Sequence, residues 1–251
     1  MKRINLAAAA CLMATLAMAQ TNEVTSVNVV GYYKMTIAPS GTYSLMALNL
    51  DAIDPTNQNI YGIFGTQLRA SFSPSACDRI LKFNTGSQTY STYARKSSDG
   101  LYHDTANFSG AATNPALLSG QGFWIQSPST ATTNYDVVIM GEVVSVLTQS
   151  VNFASGYQLS GYMFSTDVGI NNTKLTNGVA SFSPGGADQI LLFNGSGYTS
   201  FALKSSDRMW HLTSNFSGSA ATNIIPMGQG FWYLARTNLT WTETNSYAGN
   251  L

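Results

Sequence analysis

An internal duplication constrains the fold of this 251-residue chain more strongly than any other feature of its sequence. Ser71-Phe72-Ser73-Pro74 recurs about 110 residues later as Ser181-Phe182-Ser183-Pro184. Further blocks recur in the same order: 78–84 at 188–194, 96–99 at 204–207, 107–110 at 215–218, and 120–124 at 228–232. Ordered self-similarity of this kind predicts two copies of one structural unit.

The duplication divides the chain into three predicted parts: a signal peptide over residues 1–19, a first β-module over 20–141 and a second over 142–251. The sequence at 138–144 resembles the opening stretch at 28–33, and no Pro-rich or Ser-rich linker separates the two copies. We therefore expect two modules packed side by side, because a flexible tether has a different composition.

The first 19 residues have the three parts of a secretory signal peptide. Lys2 and Arg3 supply the charge, residues 6–16 form an apolar run, and Ala17-Met18-Ala19 is a small-x-small cleavage site. The run is too short to cross a bilayer, which takes about 20 apolar residues. The sequence predicts export to the extracellular space, the cell surface or the periplasm, without membrane insertion of the mature chain.

Composition limits the partners of the mature chain. Only 10% of the residues are charged, against about 25% in an average protein. Without Lys2 and Arg3 the chain has 12 acidic and 10 basic residues. Nucleic acid is therefore not an expected partner, because its binding depends on positive charge. Cys77 is the only cysteine left after cleavage, so no intrachain disulfide is expected and stability has to come from burial.

The local pattern predicts an all-β fold of two tandem, homologous antiparallel modules, each a β-sandwich or barrel-like. Short stretches rich in Val, Ile, Tyr, Phe and Thr alternate with clusters of Gly, Asn, Ser, Asp or Pro, as in these folds. A short helix competes with a strand only at 59–68. The predicted strands are 27–36, 43–48, 79–83, 90–95, 101–103, 122–126 and 135–144, then 157–164, 190–193, 198–203, 209–212, 230–234 and 239–244.

Two motifs recur at the ends of the copies. A Gly-aromatic-x-Leu strand opens each copy, at Gly41-Thr42-Tyr43-Ser44-Leu45 and Gly156-Tyr157-Gln158-Leu159, and Gly-Gln-Gly-Phe-Trp closes each. The chain resembles uncharacterised bacterial secreted two-repeat β-module proteins, which have a Gly-aromatic-x-Leu opening strand and a Gly-x-Gly-aromatic-Trp closing motif. The resemblance covers essentially the whole mature chain and implies a fold and export. It implies no activity.

Signatures of catalysis are missing from the sequence. We find no Gly-x-Ser-x-Gly elbow, no His-Glu-x-x-His and no phosphate-binding loop. The acidic residues are mostly Asp beside turn residues, where the carboxylate accepts backbone N–H groups. The sequence therefore predicts a protein that is not an enzyme and needs no cofactor.

The sharpest repeated polar group contains Asp99 and His103, with Asp207 and His211 as its copy. Residues four apart on an extended strand point to one face, so each Asp–His pair can meet. Two ligands per copy fall short of the three or four of a zinc site, so no metal is predicted. The groups are either ligand-facing patches or turns that order the edge of a strand.

Repeated aromatics complete this candidate site. Tyr102 and Trp210 hold one repeated position next to the histidines, whereas Trp124 and Trp232, flanked by glycine, are expected in the core. Phe83 and Phe193, which end two equivalent predicted strands, are expected in the cores of their own copies as well. Flat rings beside Asp and His suit the C–H faces of sugars. The predicted ligand-binding residues are Asp99, Tyr102, His103, Asp207, Trp210 and His211.

Two functions remain open from the sequence. The first is a non-catalytic exported protein that is a structural or adhesive component of the cell surface or extracellular matrix, with itself or other surface proteins as partners. The second is a carbohydrate-binding protein that uses the repeated aromatic and Asp/His edge residues, with glycans as partners. Exposed rows of aromatics favour the second, and buried rings with an unprotected edge strand favour the first.

Overall fold

The computed structural model describes residues 29–247, which form antiparallel β-sheets and one short α-helix. The predicted signal peptide at 1–19 lies outside these residues. The helix is α1 (Ile60–Phe64). The strands are β1 (Val30–Ile37), β2 (Tyr43–Ala47), β3 (Leu50–Asp51), β4 (Ala70–Ser71), β5 (Arg79–Asn84), β6 (Thr89–Lys96), β7 (Tyr102–Asp104), β8 (Gly122–Gln126), β9 (Tyr135–Val143), β10 (Thr148–Phe153), β11 (Gly156–Gly161), β12 (Val168–Gly169), β13 (Gln189–Phe193), β14 (Tyr198–Leu203), β15 (Trp210–Leu212), β16 (Ile224–Ile225), β17 (Gly230–Ala235) and β18 (Leu239–Thr244).

Two large sheets have the same strand order. The first runs β2-β8-β5-β6, with β7 and the short β4 both paired to β6, and the second runs β11-β17-β13-β14-β15. The parallel pair Ser71–Lys96 has a counterpart in the parallel bridge Ser181–Lys204. The Phe-Trp pairs of the closing motifs lie on β8 and β17, which hold the same place in the two sheets.

A second layer in each half is a pair of long strands. In the first half (29–143) β1 pairs with β9 over its whole length, and in the second half (144–247) β10 pairs with β18. The predicted module boundary at 141/142 falls inside β9. The strand that takes the place of β1 in the second half is β10, which the sequence analysis missed.

Each half has its own hydrophobic core. The core of the first half contains the fully buried Phe64 and Phe123, and that of the second contains Phe231 and Trp241. The prediction of a short helix or strand near residue 60 resolves as a helix, because Asn59 caps α1 by accepting the N–H of Gly62.

A buried carboxylate fixes the loop before each central strand. Asp188 accepts hydrogen bonds from the backbone N–H of Val179 and Arg236 and from the hydroxyl of Tyr233. Its copy, Asp78, accepts hydrogen bonds from the backbone N–H of Arg69 and from the hydroxyl of Tyr135. These contacts agree with the strand-entry role that turn chemistry predicts for Asp, and they position β5 and β13.

The two halves interlock through the glycines of the closing motifs. The N–H of Ala47 donates to the carbonyl of Gly228 (2.8 Å), and the N–H of Gly161 donates to the carbonyl of Gly120 (2.9 Å). Single antiparallel bridges join Met46 to Gln229 and Gln121 to Ser160. Because each contact has a reciprocal copy, the halves meet as in an isologous interface, about a pseudo-two-fold axis.

Glycine is required where the strands cross. A Cβ atom on Gly230 would lie 2.5 Å from the carbonyl oxygen of Met46, and one on Gly122 would lie 2.8 Å from the backbone N and O of Ser160. Both distances are shorter than van der Waals contact. The repeated Gly-Gln-Gly segment therefore permits the close approach of the two sheets.

Candidate functional site

The predicted Asp/His groups form the same closed arrangement in both halves. His103 Nε2 lies 2.9 Å from an oxygen of Asp99, and its Nδ1 lies 3.1 Å from the carbonyl oxygen of Gly110. For His211 the corresponding distances, to Asp207 and the carbonyl of Gly218, are 2.9 and 3.0 Å. Both ring nitrogens of each histidine therefore lie within hydrogen-bond distance of an oxygen atom.

The aromatic members of this predicted site are inside the protein. Tyr102 and Trp210 are completely buried, on the face of the sheet that packs into each core. Burial in turn raises the pKa of Tyr102 well above its ordinary value. Their neighbours on the chain, His103 and His211, are buried as well, and neither ring of the pair presents a face to solvent.

Each histidine therefore joins the turn before its strand, at Asp99 or Asp207, to the loop after it, at Gly110 or Gly218. Only the carboxylates of Asp99 and Asp207 are substantially exposed, each with 39% of the side chain in solvent. The predicted stacking of sugars on Tyr102 and Trp210 requires exposed ring faces. In the fold both rings lie inside the hydrophobic cores. Within residues 29–247, no three His, Cys, Asp or Glu side chains come together as a metal site.

A different set of aromatics lies at the junction of the halves. Leu45 and Trp124 of the first half pack against Leu159 and Trp232 of the second in a third hydrophobic cluster. Successive strand residues point to opposite faces, so Phe123 and Phe231 enter the two cores while each Trp faces the other half.

Each tryptophan is capped by a phenylalanine of the opposite half. The ring centroids of Phe83 and Trp232 are 4.7 Å apart, and those of Phe193 and Trp124 are 4.9 Å apart, both in edge-to-face geometry. We expected Phe83 and Phe193 in the cores of their own halves. They are instead half-buried at the junction, because their strand register places them on the outer face, with the Trp residues.

Two open clefts flank these tryptophans. The Trp124 cleft has a volume of about 520 Å³ and the Trp232 cleft about 440 Å³. The Trp124 cleft is lined by Thr42, Tyr43, Leu81, Tyr90, Trp124, Phe193, Gly195, Ser196 and Tyr198. The Trp232 cleft is lined by Phe83, Gln88, Tyr157, Leu191, Tyr198 and Trp232.

Four tyrosines form the rim of the two clefts. Tyr43, Tyr90, Tyr157 and Tyr198 are 45%, 42%, 43% and 44% exposed, respectively. Tyr43 and Tyr157 are the aromatic residues of the two opening motifs, and Tyr90 and Tyr198 pair with Phe83 and Phe193 in equivalent hairpins. Each half thus contributes two tyrosines, at equivalent positions and with nearly equal exposure.

Hydrogen bonds and ring contacts hold these tyrosines in place. The indole N–H of Trp232 donates to the hydroxyl of Tyr198 at 3.2 Å, and Trp124 hydrogen-bonds the hydroxyl of Tyr90. Burial raises the pKa of Tyr90, which outweighs the lowering by the bond from Trp124. Its hydroxyl is therefore protonated at neutral pH and can donate a hydrogen bond.

The clefts combine exposed ring faces with uncharged polar groups. Among the described residues that line them, none carries a charge. Such a surface can cover apolar C–H faces and offer hydroxyl and amide hydrogen bonds. The sequence signals were the aromatic of each opening motif and the Phe-Trp pairs, but only the reciprocal packing shows that they converge.

No helix within residues 29–247 is long and apolar enough to cross a membrane. Comparison with protein-family models, with curated protein sequences and with solved structures gives no match for this chain.

Proposed function

We propose that this chain is a non-catalytic, exported component of the cell surface or extracellular matrix, built of two tandem homologous β-modules, and that it binds carbohydrate. The duplication in the sequence and the equal strand order of the two large sheets support the modules. The segment at 1–19 supports export. The carbohydrate-binding role rests on one observation: the four half-exposed tyrosines that surround the Trp124 and Trp232 clefts.

The chemistry of the clefts favours sugar over other ligands. A pyranose ring has an apolar C–H face and a rim of hydroxyls, and a tyrosine offers a flat apolar face with a polar end. No described residue that lines the clefts supplies a positive charge to pair with a phosphate or carboxylate.

The energy available per tyrosine can be bounded from its exposure. A tyrosine presents roughly 200 Å² of surface, of which about 44% is exposed at the rim of the clefts, leaving roughly 90 Å² for a ligand to cover. At about 25 cal/mol per Å² this corresponds to at most about 2 kcal/mol per ring. Removal of one ring should therefore weaken binding by up to about 30-fold.

Affinity electrophoresis in gels that contain soluble xylan, mannan or mixed-linkage β-glucan tests this function with the mature chain. We expect retardation in at least one neutral gel and its loss in the Tyr43→Ala/Tyr157→Ala variant. The matched control is Phe72→Ala/Phe182→Ala, which also removes one exposed ring from equivalent positions of the two halves, but outside the clefts. Absence of retardation in every gel, or equal loss in the control, would contradict carbohydrate binding by the tyrosines.

A second candidate, self-association in a matrix, is favoured by one other surface. Val30 and Tyr32 on the end strand β1 are exposed beside Met140 of β9, and Tyr32 pairs directly with Met140. Exposed apolar residues on an end strand are a template for pairing between molecules. Sedimentation of the mature chain should then show oligomers that the Tyr32→Ser/Met140→Ser variant lacks. A monomeric wild-type chain at high concentration would contradict this second role.

A further inference from the structure

The two clefts are continuous with each other. Tyr198 lines both clefts. Tyr90 lines the Trp124 cleft, and its ring centroid lies 5.3 Å from that of Phe83 and 6.4 Å from that of Trp232, which both line the other cleft. Tyr43 and Tyr157 lie at the two ends, each 5.9 Å from its tryptophan. The rings therefore form one row across the junction, which we call the groove.

Neither cleft is complete within one half. The Trp124 cleft includes Phe193 and Tyr198 of the second half, and the Trp232 cleft includes Phe83 and Gln88 of the first. Gln88 reaches across the junction, where its side-chain amide donates to the carbonyl of Tyr157 (3.2 Å). The groove is thus a property of the assembled pair of halves and spans the pseudo-two-fold axis.

From this continuity we infer that a single linear, uncharged polysaccharide chain binds along the groove, with its sugar rings distributed over both clefts. The inference rests on the proposed carbohydrate-binding function and extends it to the length, charge and number of the bound chains. An uncharged chain matches the uncharged lining of both clefts. A row of rings longer than one cleft matches an extended polymer.

The pseudo-two-fold axis restricts how the chain is recognised. A polysaccharide has a direction, whereas two clefts related by a two-fold axis meet that direction in opposite senses. Hydrogen bonds that require one direction can then be made in only one of the clefts. Stacking of sugar faces on Tyr43 and Tyr157 is far less sensitive to direction, so ring contacts should dominate affinity in both clefts.

A chain that spans both clefts gains affinity without any new kind of contact. Once one cleft is occupied, occupation of the other is intramolecular, and gains from such linkage are about 10²- to 10⁴-fold. Oligosaccharides long enough to reach both clefts should therefore bind about 10²-fold more tightly than those that fill only one. The gain should stop once the groove is filled.

Isothermal titration of the mature chain with cello-, xylo- and manno-oligosaccharides, from disaccharide to octasaccharide, tests the inference. In the series that binds, we expect a rise of about 10²-fold with length, a plateau, and one long chain bound per protein. Tyr43→Ala alone and Tyr157→Ala alone should each weaken the binding of long chains by up to about 30-fold, and so remove most of the gain with length. Tyr43→Phe, which keeps the ring, should retain the length dependence and control for misfolding.

Other outcomes separate the inference from the proposed function. Two long chains per protein, or no gain with length, would show two independent clefts and overturn the inference while carbohydrate binding stands. Tighter binding of alginate oligosaccharides, which are anionic, would overturn the uncharged ligand. Absence of binding in all series, together with a neutral-gel retardation of zero, would overturn both.

Discussion

The interlock of the two halves makes a quantitative prediction for Gly230→Ala. A new Cβ would lie 2.5 Å from the carbonyl oxygen of Met46, whereas carbon–oxygen contacts in sheets are about 3.3 to 3.6 Å. The first residue of β17 and the end of β2 must therefore separate by about 1 Å, because both atoms belong to backbone or are fixed to it. This displacement strains the hydrogen bond from Ala47 to Gly228.

Two costs contribute to the loss of stability. Insertion of a methyl group into a well-packed site costs about 1 to 3 kcal/mol, and loss of a backbone hydrogen bond adds about 1 kcal/mol. We expect Gly230→Ala to lower the free energy of unfolding by roughly 2 to 4 kcal/mol. In a chain of this size each kcal/mol corresponds to about 2 to 4 °C, so the melting temperature should fall by roughly 4 to 16 °C.

Calorimetry of residues 20–251 measures this effect against a control in the same half. Gly197→Ala places its Cβ in open space, with no atom within 4 Å, so its melting temperature should barely change or rise slightly. Gly122→Ala, at the equivalent position of the first half, should lower the melting temperature as Gly230→Ala does. A Gly230→Ala chain that melts within about 1 °C of the Gly197→Ala chain would refute the tight crossing of the strands.

Two further predictions concern the arrangement around the histidines. Trp210→Ala should destabilise the second half by about 3 to 5 kcal/mol in a urea titration, because the ring is completely buried; Phe182→Ala, which removes a ring that is 85% exposed, should change stability by less than about 0.5 kcal/mol. The pKa of Asp99 is lowered by hydrogen bonds from the N–H of Leu101 and from His103. Burial raises the pKa of Asp207, but hydrogen bonds from His211 and from the N–H of Met209 hold it below its usual range. Because these folded-state pKa values lie below the unfolded value of about 3.9, the stabilisation is present above that pH and is lost as the pH falls through the folded values. The Asp99→Asn/Asp207→Asn variant should therefore melt lower than wild type at pH 7 and approach wild type at low pH, and a constant difference at all pH values would exclude this linkage.

Much of the fold could be predicted from the sequence because local patterns and tertiary structure agree. The strands predicted at 122–126, 198–203 and 239–244 have the observed bounds, since glycine or turn residues mark both ends. The strand β10 was missed. Its apolar residues are few, so its sequence has little of the pattern of a strand, and its pairing with β18, far away in the sequence, is what orders it.

The candidate site was harder to predict for a physical reason. Trp124 and Trp232 occupy strands that are covered on both faces, so the sequence there is a continuous apolar run. Such a run indicates that the strand is buried, but it does not indicate which part of the protein covers each face. For the face that carries each Trp, that part is the other half, and only the reciprocal Phe83–Trp232 and Phe193–Trp124 contacts identify it. Tyr102 and Trp210, by contrast, alternate with the histidines on short strands, and their burial follows from the core beneath them.

Binding of a neutral glycan in the groove is tested most directly by a crystal structure of residues 20–251 in complex with the oligosaccharide that binds most tightly in the titrations. We predict one sugar chain that runs from Tyr43 to Tyr157 across Tyr198, with sugar faces against the exposed rings. Sugar bound only outside the groove, beside Asp99 and His103 for example, would contradict it. So would an empty groove in crystals equilibrated at a concentration that saturates the protein in solution.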